Sequence, residues 1–366
     1  MAKTPVLHLV GGFLGSGKTT AIVQACKLLA DSGLRAGVVT NDQGKYLVDT
    51  AFVRLQDLPA VEVGGGCFCC NYADLETQLK NLVEGAAPDV IFAESVGSCA
   101  DLVATVIKPL LSLRHSPMPP ASFSVFADAR LLSMHLRGLE LPFSEDVTYI
   151  FEQQLLEAGL VVVNKLDLIP QAKQADLLAA ARERLPGRNV LGLSALEPAQ
   201  VSSWLEVLRS GSDLVPRENL AIDYRRYGAG EKQLAWLDQQ VTLNLPEEGQ
   251  LHNLAAAVLS ALDGGLRALG VGVGHLKFVV SDSFGHSAKI SFTSLPTPGW
   301  EGDLPDLKGR SLHLAVNARA ELPAVQLANL AGEVLREQAE LFGAQIQVSD
   351  RAAFHPGLPR PTHRMD

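Results

Sequence analysis

The chain has 366 residues, enough for roughly two domains at about 150 residues apiece. Its 31 basic and 40 acidic residues leave a formal charge of −9. That balance argues against sequence-independent nucleic-acid binding, which needs Lys and Arg to neutralise phosphates.

Short β-branched runs alternate with longer helical patterns through the first 210 residues. Strands are expected over 5–10, 36–40, 90–93, 123–127, 160–163 and 190–193, and helices over 19–31, 72–83, 101–113 and 174–184. Several of the strands are apolar almost throughout, as strands covered on both faces are. Strand-helix alternation implies βαβ units, so residues 1–212 are expected to form a doubly wound α/β domain with a mostly parallel sheet. Residues 213–232 mix Gly, Pro, Ser and charge with no period and read as a linker. Strands are next expected over 234–245, 275–280, 288–293, 312–318 and 344–348, and helices over 251–269 and 323–342. That order fits a smaller α+β, ferredoxin-like domain over 233–354. The tail, 355–366, carries Pro356, Pro359 and Pro361 and is expected to be irregular. No apolar run approaches the roughly 18 residues of a membrane span. The run after Lys3 is broken by Gly11 and Gly12 and makes no signal peptide, so a cytoplasmic protein without membrane partners is expected.

Gly12 to Thr19 matches G-x-x-x-x-G-K-S/T between an expected strand and an expected helix, the context of a phosphate-binding loop. Gly12, Gly15 and Gly17 let backbone amides, including that of Ser16, converge on one anion at the helix N-terminus. Lys18 would reach the β- and γ-phosphates and Thr19 would place its hydroxyl on Mg²⁺, with Thr20 beside them. Asn164-Lys165-Leu166-Asp167 follows a later strand. The Asp167 carboxylate can accept guanine N1–H and the 2-amino group, neither of which adenine offers, so GTP is favoured over ATP. Asn164 would brace the neighbouring loop, the Lys165 stem would lie over the base, and a Ser194-Ala195 amide would meet guanine O6. Glu94 ends another strand and could hold an attacking or Mg²⁺-bound water, and Gly97 lets its amide approach a γ-phosphate. Asp42, after the second strand, is a candidate metal ligand, and Asp128 a lesser one.

Gly64-Gly65-Gly66-Cys67-Phe68-Cys69-Cys70 concentrates three of the five cysteines in four positions. Thiolates suit Zn²⁺ and similar soft ions, and three of them leave one coordination position open. An open shell is what a metal carrier needs for ligand exchange. A buried apolar cysteine cluster and a redox pair are the alternatives. His275 and His286 could converge across the expected hairpin.

Taken in order, the phosphate loop, Asn41-Asp42-x-Gly44 with Asp49, C-x-C-C, E-x-x-G, the Phe126-Ala127-Asp128-Ala129 strand end and N-K-x-D resemble the CobW-type GTPases. These are relatives of UreG, HypB and MeaB in the SIMIBI class. The likeness covers about 210 residues. Asp42 stands where the family has Glu, Lys45 where it commonly has a second acid, and the histidine-rich stretch of some members is missing. The resemblance implies a P-loop GTPase sheet and a metal ion, Zn²⁺ or Co²⁺, on Cys67, Cys69 and Cys70. GTP hydrolysis would be coupled to delivery of that ion to a target metalloprotein or a cobalamin-pathway protein, with two copies working as a homodimer. A rival reading is a GTP-dependent chaperone gating a corrinoid or metalloenzyme partner, its cysteine loop structural only. Others are an ATP-using kinase and a P-loop fold that does not hydrolyse.

Overall fold

The computed structural model describes residues 4–42, 44, 48–113, 118–210 and 213–366, so Lys45 lies outside the described residues. β1 (Val6–Gly12), β2 (Ala36–Asn41), β3 (Ala60–Val63), β4 (Val90–Glu94), β5 (Pro120–Asp128), β6 (Leu160–Asn164) and β7 (Asn189–Gly192) form one sheet in the order β3-β2-β4-β1-β5-β6-β7. Every neighbouring pair in it is parallel. β2 and β6 are buried along their whole length, which explains their unbroken apolar runs. Val10 stands opposite Glu94 and Asp128 opposite Asn164, so the strands deliver their motifs to one edge.

The helices are α1 (Lys18–Asp31), α2 (Val48–Arg54), α3 (Tyr72–Ala86), α4 (Lys108–Ser112), α5 (Ala129–Leu136), α6 (Glu145–Glu157), α7 (Gln171–Arg184), α8 (Pro198–Arg209) and α9 (Tyr224–Gln233). A π-helical stretch, Val103–Ile107, leads into α4. α9 replaces part of the expected linker. Asp223 caps it by accepting the Arg225 and Arg226 amides. Its buried face is small, with a Cβ at Gly230 meeting the Asp146 carbonyl at 2.4 Å, so no apolar period marks it in the sequence.

A second sheet holds β8 (Ala235–Asn244), β9 (Val273–Ser281), β10 (Ser287–Phe292), β11 (Ser311–Ala320) and β12 (Gln345–Phe354) in the order β10-β9-β11-β8-β12. All its pairs are antiparallel. Two split βαβ units build it, with α10 (Leu251–Ala268) linking β8 to β9 and α11 (Ala324–Phe342) linking β11 to β12. That is the expected ferredoxin-like order, with β10 added at the edge. Leu237, Leu276 and Ala318 belong to this domain's own apolar core with residues of α10 and α11. By strand alternation Trp236, Asp238, His275, Lys277, Asn317 and Arg319 share the opposite face, and the first domain covers it. Among the described residues no helix is long and apolar enough to cross a membrane.

Candidate nucleotide and metal site

The phosphate loop has the conformation its glycines permit. Gly12, Gly15 and Gly17 have φ of 124°, 69° and 88°, in the region that favours glycine. A Cβ at Gly12 would meet the Phe126 carbonyl at 2.2 Å. No side chain caps the start of α1 at Gly17, so its first amides remain available to an anion. Lys18 Nζ donates to the carbonyls of Gly12 at 2.9 Å and Phe13 at 3.3 Å. Burial pushes its ammonium down to about 8, with the Glu94 charge resisting.

Thr19 Oγ1 donates to Glu94 Oε1 at 3.0 Å, while Glu94 Oε2 is buried with no hydrogen-bond partner among the described residues. A hydroxyl beside a carboxylate oxygen left unsatisfied is a donor set that fits Mg²⁺. Burial, reinforced by the Asp49 charge, raises the Glu94 carboxyl. A Cβ at Gly97 would press on Leu14 of the phosphate loop at 2.8 Å, so glycine permits this approach.

The second domain closes over this end. Lys277 and Lys289 bind the two oxygens of Asp49 at 2.5 and 2.6 Å. Against the upward push of burial, they hold its carboxyl well below the usual carboxylate range. Leu14, Lys18, Asp49, Glu94, Trp236 and Lys277 line a cavity of only about 20 Å³. A γ-phosphate entering that space would meet Trp236 and Lys277 of the second domain. Asp42 borders the same cavity, where its charge meets Lys277 and Arg319 and not the cysteine sulfurs.

Asn164 Nδ2 donates to the Ser16 carbonyl at 2.7 Å and its Oδ1 accepts the Ala195 amide at 2.9 Å, so it ties the phosphate loop to the loop after β7. The Ser194 amide donates to Gln200 at 2.7 Å. Both amides expected for guanine O6 are therefore already engaged, and Gln200 must yield for Ser194 to serve. Asp167 lines a cleft of about 550 Å³ with Gln174 and Gln200. Asp128 is no metal ligand here, because Lys165 lies 3.1 Å and Arg130 2.7 Å from its Oδ2. It fixes the Lys165 stem that the sequence placed over the base.

The cysteine loop is a compact turn into α3. The Cys70 and Asn71 amides donate to the Cys67 carbonyl at 3.0 and 2.9 Å. Sulfur separations are 2.7 Å for Cys67–Cys69, 3.3 Å for Cys67–Cys70 and 3.8 Å for Cys69–Cys70. Sulfurs tetrahedrally placed at about 2.3 Å from zinc lie roughly 3.8 Å apart, so a small spreading fits the three to one ion. Thiol hydrogen bonds from Cys69, Cys70 and Cys99 hold Cys67 well below the usual thiol range.

Several residues that build this site were not legible beforehand. Asn41 Nδ2 donates to the carbonyls of Val63 at 2.9 Å and Gly66 at 2.7 Å. The tail is irregular as expected, yet it docks on the cysteine loop: the Thr362 amide donates to the Cys69 carbonyl at 2.8 Å, its Oγ1 to the Cys70 carbonyl at 2.9 Å, and the Arg360 amide to Cys70 Sγ at 3.3 Å. His275 and His286 do not converge. The first binds Asn317 in the covered face and the second binds Asp282 at the hairpin turn, roughly 20 Å along β9.

A family model described as the CobW/HypB/UreG nucleotide-binding domain matches residues 6–191. The zinc chaperone YeiR of Escherichia coli is 32% identical over 172 residues, covering 46% of this chain and 49% of that protein. The zinc chaperone CobW of Sinorhizobium sp is 28% identical over 206 residues, covering 49% and 55%. The chain thus spans about half the length of the curated relatives it matches. The solved structure of HypB from Helicobacter pylori in complex with nickel aligns over 58% of this chain and 90% of its own, with 14% identity and a TM-score of 0.43.

Proposed function

The chain belongs to the CobW/HypB/UreG family, and on that premise we propose that it is a GTP-binding and GTP-hydrolysing metallochaperone. It binds Zn²⁺ or a Co²⁺-like ion on Cys67, Cys69 and Cys70 and delivers it to a target metalloprotein in the cytoplasm, working as a homodimer. The observation that carries this reading is the direct connection of the two sites: Asn41 borders the phosphate-end cavity and hydrogen-bonds both flanks of the cysteine loop.

Each residue then has a role. Amides of the Gly12–Thr20 segment bind the phosphates and Lys18 neutralises their charge. Thr19, with Glu94 behind it, would hold Mg²⁺, which would supply charge neutralisation to the phosphates when bound. Glu94 orients the attacking water, Gly97 carries the amide that meets the γ-phosphate, and Asp167, with Asn164 and Lys165, selects guanine. On this reading a γ-phosphate meets Trp236 and Lys277 as it enters and moves the second domain, which gives the nucleotide a mechanical output.

One observation favours a structural ion instead. Cys67 and Cys69 are buried and the tail is strapped across the loop. Two measurements test the reading. GTP should outcompete ATP by several orders of magnitude for binding, and the Cys67→Ser, Cys69→Ser, Cys70→Ser triple variant, purified anaerobically, should lose its ion. ATP preference would discard the GTPase assignment, and equal metal content would discard the carrier.

A further inference from the structure

Four residues lining the cavity at the phosphate end carry buried polar atoms with no hydrogen-bond partner among the described residues: Glu94 Oε2, Ser95 Oγ, Trp236 Nε1 and His275 Nδ1. Glu94 and Ser95 stand at the end of β4, while Trp236 comes from β8 and His275 from β9 of the second domain. A buried polar atom left unpaired is costly, so four of them around one small space point to a shared ligand. At about 20 Å³ the cavity has room for a single water molecule, and a buried water takes two to four such partners.

A second observation fixes what His275 can offer. Asn317 Nδ2 donates to the Asp238 carboxylate at 2.5 Å, and a carboxylate only accepts, so the amide of Asn317 is oriented with Oδ1 toward the histidine. His275 Nε2 lies 2.5 Å from that Oδ1 and must be the donor. Burial, with the Lys277 charge next in effect, holds the imidazole well below the usual histidine range, so the ring is neutral. A neutral ring with its proton on Nε2 has a bare lone pair on Nδ1. The chain from Asp238 through Asn317 thus sets the tautomer and leaves an acceptor unused.

We propose that His275 is a further catalytic residue of GTP hydrolysis, supplied by the second domain, whose Nδ1 accepts a hydrogen bond from the attacking water. The inference rests on the GTPase reading and deepens it. Glu94 Oε2 accepts the water's other hydrogen, Trp236 Nε1 donates to one lone pair of its oxygen, and the second lone pair is left for phosphorus. Lys18 and Lys277 line the same space and neutralise the phosphate oxygens. In the step, the water oxygen bonds to the γ-phosphorus and the bond from phosphorus to the β–γ bridging oxygen breaks. Its electron pair leaves with GDP, and the water's proton passes to a γ-phosphate oxygen. His275 orients the water and stays neutral, and nothing is oxidised or reduced. Hydrolysis therefore requires the second domain in contact with the phosphate end.

The test is single-turnover hydrolysis of saturating GTP by the full chain with Mg²⁺, alongside titrations with GDP and a non-hydrolysable GTP analogue. His275→Leu should hydrolyse GTP at least about a hundredfold more slowly, the lower end for a group that handles the reacting proton. Its affinity for the analogue should stay at the wild-type value, the signature of a contact made only in the transition state. Trp236→Phe keeps an aromatic ring against Arg319 and Phe354 and removes the Nε1–H donor. It should slow hydrolysis roughly tenfold, about one hydrogen bond's contribution, again without loss of affinity. Rate and affinity falling together in both variants, as loss of domain seating alone would give, would overturn the assignment. If His275→Leu does not fold, Trp236→Phe decides, and an unchanged rate overturns it. A wild-type chain that releases no phosphate from GTP fails the GTPase reading itself, whereas a wild type that hydrolyses GTP no faster than His275→Leu fails only the role of His275.

Discussion

Asn41 accepts the backbone amide of Phe68 at 2.9 Å, joining the end of β2 to the middle of the cysteine loop. The same side chain reaches the Gly66 carbonyl, so it clamps the loop on both sides of Cys67. Asn41→Ala removes these bonds and leaves buried backbone groups unpaired, at about 1–3 kcal/mol each. The variant should still bind GTP, but its Zn²⁺ affinity should no longer change between GDP and a GTP analogue. Parallel Zn²⁺ titrations in the two nucleotides check this.

Guanine selection by Asp167 is open to a direct test. Asp167→Ala should lower GTP affinity by about a hundredfold to ten-thousandfold, the discrimination available to a site built to hydrogen-bond its ligand. ATP binding should stay as weak as before. Competition between the two nucleotides on wild type and variant reads the effect, and unchanged GTP affinity would remove Asp167 from the base site.

Lys18 gives a pH dependence. Its folded-state pKa is lowered from 10.5 to about 8, so between those values the unfolded chain holds the extra proton. Stability should therefore rise as pH rises through that window, relative to Lys18→Met, which lacks the group. The full shift corresponds to about 3 kcal/mol. Urea unfolding of both proteins at pH 7.5 and 10 gives the difference, and parallel pH profiles would refute the buried charge.

The tail tests the strap over the metal loop. Thr362→Val removes the hydroxyl's bond to Cys70 while keeping the backbone bond to Cys69. Deletion of residues 358–366 removes both, together with the Arg364–Asp101 pair at 2.9 Å. Zn²⁺ loss to a competing chelator should accelerate modestly in the first variant and by about tenfold or more in the second, as a net hydrogen bond contributes only about 1 kcal/mol. Identical rates would mean that the tail does not limit access.

The phosphate loop, the guanine motif and the cysteine turn were legible because each is a local pattern whose spacing is its chemistry. The parallel sheet followed from strand-helix alternation. β3 escaped because it has four residues, three of them only partly buried at the sheet edge. The clamp by Asn41 and the tail strap stayed hidden because they depend on tertiary contact. Lys277 meets Asp49 across 228 residues and Thr362 meets Cys70 across 292. Asp128 looked like a metal ligand from its strand-end position, but two cations beside it make it a brace for Lys165. Nor could spacing reveal that the second sheet turns a polar face onto the phosphate end.

The central claim is that the sulfur-bound ion and the γ-phosphate are thermodynamically linked. Zn²⁺ affinity of the wild-type chain, measured against a competing chelator in saturating GDP and in saturating non-hydrolysable GTP analogue, tests it most directly. The account predicts dissociation constants differing by about a hundredfold, about 2.7 kcal/mol of coupling, matched by an equal change in the relative affinity of the two nucleotides when Zn²⁺ is bound. Equal Zn²⁺ affinity in both nucleotides would contradict it.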